Sequence, residues 1–315
     1  MRNAWRCYVS YALSLLGSVR IVHKPIFVSV EPASVCQLHC PECPVGRAQL
    51  PDRSAEKKQP FMPVEVYRRV LAEVKETAWV MQFYFQGEPI LHNALPQMIG
   101  EAHDEGLYTI VSTNAQAMTA EMAEALIAAG LSRIIISMDG LTQESYEAYR
   151  IGGSVEKCKE ALRLLRAAKE RLHGRTVIEL QVLRLRSNEH EWKAFEAQYK
   201  ALGADRLVFK TAQLYDYEDG HPLMPTDERY SRYVKDAEGH YHRRSLRPGC
   251  MRVWSGIVVT TTGEVLPCCY DKAHAHAYGN IMRASLADLF GNEKANTFRQ
   301  SALLDQPQIC KECYK

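Results

Sequence analysis

The sequence predicts an α/β protein: a partial (β/α)6 barrel followed by a small hairpin-plus-helix domain. Three observations predict it. Six strand-like patterns alternate with helical ones between residues 26 and 210. Polar and glycine signals fall at the C-terminal ends of successive strands. The alternation stops after Ala212, and a new unit begins at Cys250.

Strand candidates are 26–30, 80–85, 108–112, 133–137, 177–183 and 206–210. Helical patterns at 63–77, 94–105, 120–129, 155–171 and 189–201 fill the gaps, the first with Val66, Val70, Leu71 and Val74 on one face. Gly106, Gly130 and Gly203 stand just past three of these helices, where glycine C-caps are expected. Such alternation implies parallel strands joined by right-handed crossovers. A doubly wound sheet would satisfy the same pattern. The TIM-like barrel is preferred because barrel enzymes place their chemistry at the strand C-termini.

The expected layout is an N-terminal helix over 1–24, a core over 25–215, a linker or active-site loop over 216–249, and a C-terminal domain over 250–315. Residues 215–248, rich in Tyr, Asp, Glu, His and Pro, read either as a solvated connector or as a loop over the site. Beyond Cys250, 254–260 and 265–267 read as a hairpin turning at Thr262-Gly263, and 285–299 as a helix.

Arg2, Arg6, Ser10, Ser14 and Ser18 recur every four residues, giving an N-terminal helix one narrow polar stripe. It reads as a helix packed on the body of the protein, or as one lying in a membrane interface through residues 1–22. The apolar run from Tyr8 to Leu16 is short of the about 20 residues that span a bilayer. No convincing cleavage site follows it. Lys and Arg number 39 against 37 Asp and Glu, with no basic run, so no nucleic-acid partner is expected.

The ten cysteines cluster: Cys36, Cys40 and Cys43 in one loop, and Cys250, Cys268, Cys269, Cys310 and Cys313 near the C-terminus. Long apolar-patterned stretches between them can build a core without disulfides, so the clustered thiols read as metal ligands in a reducing, cytoplasmic compartment. Cys7 and Cys158 fall in helical patterns and read as buried small hydrophobes.

Cys36-x3-Cys40-x2-Cys43 follows the first strand directly. Three thiolates in one loop can hold three irons of a [4Fe–4S] cube and leave the fourth open, where an electron-transfer cluster would have a fourth thiolate. Zinc with His39 as fourth ligand is the alternative metal reading, in poor geometry because His39 adjoins Cys40. Three buried structural cysteines without metal are the remaining alternative.

This spacing and the motifs at later strand ends resemble the radical SAM superfamily over residues 25–215. The resemblance implies a [4Fe–4S] cluster on Cys36, Cys40 and Cys43, with S-adenosylmethionine (SAM) on the open iron. It also implies reductive cleavage of SAM to a 5′-deoxyadenosyl radical that takes hydrogen from a substrate. Phe85-Gln86-Gly87-Glu88-Pro89 looks like the family's Gly-Gly-Glu-Pro element, which implies that Gly87, Glu88 and Pro89 hold the SAM amino group. Asn114 ends the third strand, and Ser137 and Asp139 of Ser-Met-Asp-Gly end the fourth, as cofactor-binding positions. Arg150 would pair with the SAM carboxylate, and Gln181 would face the ribose or methionyl group. Glu42 stands where the family often has an aromatic residue near adenine.

Cys250, Gly263-x4-Cys268 and Cys310-x2-Cys313, with Tyr278-Gly279-Asn280-Ile281 between, resemble the C-terminal SPASM or twitch extension of the same enzymes. That resemblance implies a second, auxiliary [4Fe–4S] cluster on Cys250, Cys268, Cys310 and Cys313, with structural zinc as the alternative. Cys269 is left spare. In an extended strand it would point away from Cys268, which makes it a candidate hydrogen donor.

The expected activity is SAM-dependent hydrogen abstraction from a small polar, carbohydrate-like molecule, for dehydrogenation or epimerisation. The few residues before the first strand leave no room for a separate peptide-recognition domain. A peptide or protein maturase is the alternative. An electron-transfer or cluster-carrier module is the reading from another class, and the open iron argues against it. An electron donor such as flavodoxin or ferredoxin is the expected partner.

Overall fold

The computed structural model describes residues 2–17, 21–47, 59–244 and 250–313. Helix α1 (Arg2–Ser14) precedes the alternation. That runs β1 (Phe27–Val30), α2 (Val64–Val74), β2 (Val80–Phe83), α3 (Leu95–Asp104), β3 (Tyr108–Thr113), α4 (Ala120–Ala128) and β4 (Arg133–Ser137). It continues through α5 (Gln143–Glu147), α6 (Val155–Arg171), β5 (Val177–Arg184), α7 (Trp192–Gln198) and β6 (Arg206–Thr211). Then come β7 (Tyr233–Lys235), β8 (Tyr241–Arg243), α8 (Arg252–Ser255), β9 (Gly256–Val259), β10 (Glu264–Leu266) and β11 (Gly279–Asn280). The chain closes with α9 (Leu286–Gly291), α10 (Glu293–Leu304) and α11 (Gln308–Lys311).

Two compact units form. The first holds Met1–Val35, Leu50–Ile110 and Leu246–Lys315; the second holds Cys36–Gln49 and Val111–Ser245. In the first, β1, β2 and the start of β3 pair in parallel, Phe27 with Val80 and Val80 with Tyr108. On its other side β1 takes β9, also parallel, so the C-terminal hairpin extends the same sheet. With neighbours on both edges, β1 needs apolar residues on both faces: Val28 and Val30 are buried, and Ser29 meets its burial by donating to Tyr84 O at 2.6 Å.

In the second unit β4, β5 and β6 are parallel, Arg133 beside Val177 and Glu179 beside Arg206. Helix α6 buries Val155, Cys158, Leu162 and Leu165, a stripe at helical spacing. Gly203 has φ +102, the left-handed cap its position predicts, and an added Cβ would stand 3.0 Å from Leu162 O.

The departures have local causes. The 189–201 pattern opens as a 3-10 turn, Arg186–Glu191, because Asn188 is engaged elsewhere: its amide donates to Asp139 O and Leu183 O, both at 2.8 Å. The 285–299 pattern splits at Asn292, whose side chain caps α10 through Ala295 N. Strand β10 stops at Leu266, before Pro267, which has no N–H to give the ladder. Cys268 and Cys269 therefore lie in a turn, closed by Asp271 N to Cys268 O at 3.3 Å, and not in an extended strand. The premise that Cys269 points opposite to Cys268 is corrected accordingly.

The connector after β6 has structure of its own, including the β7–β8 hairpin; residues 245–248 of the predicted loop lie outside the described residues, as does Ser18. Helix α1 turns its serine stripe inward, burying Cys7, Ser10 and Ser14. No described helix is long and apolar enough to cross a membrane.

Candidate active site

The cysteine loop opens the second unit. His39 N donates to Ile151 O at 3.0 Å, and Cys43 N to Cys40 O at 3.1 Å, which shapes the loop around its thiols. Donors converge on the sulfurs. Asn114 Nδ2 stands 3.3 Å from Cys36 Sγ, Leu38 N 3.4 Å from the same atom, and Arg150 Nη1 3.9 Å from Cys40 Sγ. Burial pushes the Cys40 thiol up, and the Arg150 guanidinium is the largest opposing influence. All ten cysteines are thiols without disulfides. Hydrogen-bond donors and a fixed cation around sulfur favour thiolate over thiol, so this donor set fits an iron–sulfur cluster. Among the described residues no three His, Cys, Asp or Glu side chains close on one single-ion position. A cubane asks for no such convergence, because each thiolate takes a separate iron.

Asp139 is fully buried, and both its oxygens are used. Arg150 Nε donates to Oδ2 at 2.6 Å and Leu183 N to Oδ1 at 2.6 Å. Asp139 thus fixes the guanidinium and ties the loop after β4 to the end of β5. Next to it, Gly140 lets the backbone pass where a Cβ would stand 2.2 Å from Tyr146 N. Ser137 and Gln181 are register partners on β4 and β5. Asn114 Oδ1 accepts from Gln37 Nε2 at 3.2 Å and Gln116 N at 3.0 Å. Asn114, Asp139 and Arg150 are therefore brought to the cysteine loop.

Gly87, Glu88 and Pro89 belong to the first unit. Gly87 passes so close to the segment leading out of β1 that a Cβ would stand 2.1 Å from Ala33 O. Glu88 N donates to Val35 O at 2.8 Å, and its carboxylate caps the turn Pro89–Leu91 through Ile90 N at 3.2 Å. The motif residues hold the segment just ahead of Cys36.

Sequence reasoning noted Glu42 but missed its role. Its buried carboxylate accepts from Tyr215 N at 2.6 Å and lies 3.4 Å from His221 Nε2. His221 Nδ1 accepts from Leu223 N at 3.2 Å, which leaves the proton on Nε2, facing Glu42. Tyr233 exchanges hydrogen bonds with Leu214, and Leu214, Met224 and Tyr233 pack in one cluster with Leu38 and Cys40. The segment after β6 thus lies on the cysteine loop. The available signal was a carboxylate where an aromatic residue is usual.

In the first unit, burial pushes the Cys268 thiol well up, and the neighbouring thiols Cys269, Cys250 and Cys310 push further. Cys313 N donates to Cys310 O at 3.2 Å, so both sit on one short turn. Asp271, fully buried, accepts from Ala275 N and His276 N at 2.9 Å and stiffens the loop after Cys269. The Tyr278 hydroxyl is buried with no hydrogen-bond partner among the described residues. Burial raises this phenol, and Cys268 and Cys250 are among the groups acting with it. Neighbouring thiols beside a buried, unpartnered hydroxyl fit a second sulfur cluster.

Comparison with known proteins follows the same two regions. Residues 30–184 match the Radical SAM superfamily, and residues 250–314 match SPASM, an iron–sulfur cluster-binding domain. The PqqA peptide cyclase of Bradyrhizobium diazoefficiens is 28% identical over 312 residues, covering 92% of this chain and 78% of the cyclase. Among solved structures, BtrN in complex with AdoMet and 2-DOIA superposes with a TM-score of 0.55 at 18% identity, over 92% of this chain and 93% of that one. Streptococcus suis SuiB bound to the precursor peptide SuiA gives 0.65 at 13% identity, over 92% and 70%. At these identities the structures establish the fold alone.

Proposed function

The chain belongs to the radical SAM superfamily and ends in a SPASM domain, and from that premise we propose that it is a peptide-modifying enzyme, with ring closure within the peptide as the first product to seek. The observation that carries this reading is the extent of the cyclase match. It covers 92% of the chain. The shortness of the segment before β1 was the ground for expecting a small polar substrate. The cyclase match, over 78% of the cyclase's own length, favours the peptide alternative over that substrate.

Cys36, Cys40 and Cys43 are the proposed ligands of the SAM-binding cluster, and Cys250, Cys268, Cys310 and Cys313 those of the auxiliary one. When bound, the cluster and SAM supply a 5′-deoxyadenosyl radical for hydrogen abstraction. The residues of this chain set the stage for it. Asn114 and Arg150 stabilise thiolate charge on Cys36 and Cys40. Arg150, held at Nε by Asp139, offers the rest of its fork to the SAM carboxylate. Gly87 and Glu88 shape the segment entering the cysteine loop. Glu42, Leu214 and Tyr233 seat the segment after β6 on that loop, and Tyr215, Tyr217 and His221 of that segment would supply peptide contacts.

The test is anaerobic incubation of the reconstituted protein with SAM, a low-potential reductant and candidate precursor peptides encoded beside its gene. The expected result is 5′-deoxyadenosine together with a peptide lighter by one pair of hydrogens. Deoxyadenosine with a small polyol or amino sugar turned over, and no peptide changed, would return the small-molecule reading.

A further inference from the structure

Helix α1 stands on the first unit with its polar side inward. Asn3 Nδ2 donates to Lys24 O at 2.9 Å, and Lys24 N donates back to Asn3 Oδ1 at 3.1 Å. Cys7 Sγ donates to Trp254 O at 3.4 Å, and Ser10 Oγ lies 3.2 Å from His23 Nδ1. The opposite face carries Trp5, Tyr8 and Leu13, and the turn beyond adds Leu15 and Leu16. All five are exposed, Trp5 by 66% and Leu16 by 83%. The Trp5 and Tyr8 rings stack in solvent with centroids 5.9 Å apart. A helix packed on a protein body normally turns its apolar stripe inward. Here the stripe is reversed, and a contiguous exposed apolar face marks an interaction site.

Charge indicates the occupant. Residues 1–30 contain Arg2, Arg6, Arg20 and Lys24 and no Asp or Glu. The whole chain is only +2, so everything after residue 30 is net negative. Arg2 and Arg6, one turn apart, border the apolar face. Trp and Tyr settle at the level of lipid headgroups, and flanking Arg pairs with lipid phosphates. We propose that α1 lies flat on an anionic lipid surface as a reversible peripheral anchor. Trp5, Tyr8 and the leucines enter the headgroup boundary, while the serine side stays docked on the protein. The anchor holds the enzyme at a surface and does not cross it, because α1 has 13 residues.

The experiment is flotation of the cluster-loaded full chain with vesicles of phosphatidylcholine alone or with added phosphatidylglycerol. Recovery with the anionic vesicles, little with the neutral ones, and loss as salt rises are expected. The double variants Trp5→Ser/Leu16→Ser and Arg2→Glu/Arg6→Glu should each lower recovery by about tenfold or more. The substituted side chains face solvent, so iron content and Tm should stay at wild-type values in both, which separates lost binding from lost folding. Absence of flotation, or flotation that both variants leave intact, overturns the proposal. So does a dimer that Trp5→Ser/Leu16→Ser dissociates without any vesicle binding, which would assign the face to a second copy of the chain.

Discussion

Glu42 and Tyr215 are joined by a 2.6 Å hydrogen bond, from the Tyr215 amide to Glu42 Oε2, across 173 positions of sequence. The bond fastens the segment after β6 to the cysteine loop. Glu42→Ala should leave that amide and His221 Nε2 without an acceptor, at a cost of about 1–3 kcal/mol. Amide hydrogen exchange over 213–224 should quicken, and the denaturant midpoint should fall. Glu42→Gln keeps an acceptor oxygen for the amide and should lose less. Equal exchange in wild type and Glu42→Ala would mean that packing around Tyr233 seats the segment unaided.

Two four-iron clusters predict about eight irons per reconstituted chain. Replacing Cys36, Cys40 and Cys43 together with Ala should leave about four and abolish SAM cleavage. Replacing the four C-terminal ligands should leave the other set, with deoxyadenosine still formed. Iron and zinc analysis with Mössbauer spectra checks both. Zinc in place of the second cluster would make the C-terminal site structural.

Arg150 and Asp139 form a buried pair at 2.6 Å. Arg150→Ala strands the Asp139 carboxylate, at a cost of about 3–5 kcal/mol. It should also weaken SAM binding by about 1.5–3 kcal/mol through one charge-assisted bond. Arg150→Lys restores a cation but not the planar fork. Stability should then recover further than SAM affinity does. Calorimetric SAM titration beside denaturant unfolding separates the two effects, and affinity that Arg150→Ala leaves unchanged would place the carboxylate partner elsewhere.

The strands and the cysteine loop were legible because both are local. A short run of β-branched residues marked 133–137 to the residue, and three thiols fall within one loop. What stayed hidden depends on contacts distant in sequence. Nothing local marks Asn188 as the brace between Asp139 O and Leu183 O, or Glu42 as the anchor of Tyr215. The α1 stripe was visible, but its direction was not. A serine stripe looks solvent-facing until His23 and Trp254 supply the inward partners. Pairing of β9 with β1 was equally invisible, since a hairpin pattern does not say which edge it joins.

His23 donates from Nε2 to Trp254 O at 2.7 Å and accepts at Nδ1 from Ser10 Oγ at 3.2 Å, the pattern of a neutral ring. Burial holds its pKa below the ordinary value. The folded contact is complete above the unfolded pKa of about 6.5. As pH falls from there through the lower folded value, the unfolded chain binds the proton first and stability is lost. Tm should therefore drop on acidification more steeply in wild type than in His23→Gln. Parallel curves would show that His23 does not report the docking of α1.

The Tyr278 hydroxyl is buried, lacks a hydrogen-bond partner among the described residues, and lies in the electrostatic neighbourhood of Cys268 and Cys250. Its backbone is fixed by Tyr278 N to Val265 O at 2.8 Å and Asn292 Nδ2 to Tyr278 O at 2.8 Å, so the ring cannot turn away cheaply. A buried hydroxyl without a partner costs stability, a cost that donation to a cluster sulfur would offset. Tyr278→Phe keeps the ring and removes only that donor. Without metal the variant should be as stable as wild type or more so. With the auxiliary cluster loaded, its potential should become more negative in Tyr278→Phe, because hydrogen bonds to cluster sulfur favour the reduced, more anionic state. Spectroelectrochemical titration of the variant lacking Cys36, Cys40 and Cys43, with and without Tyr278→Phe, isolates the auxiliary cluster. Identical potentials would show that the hydroxyl takes its bond from elsewhere.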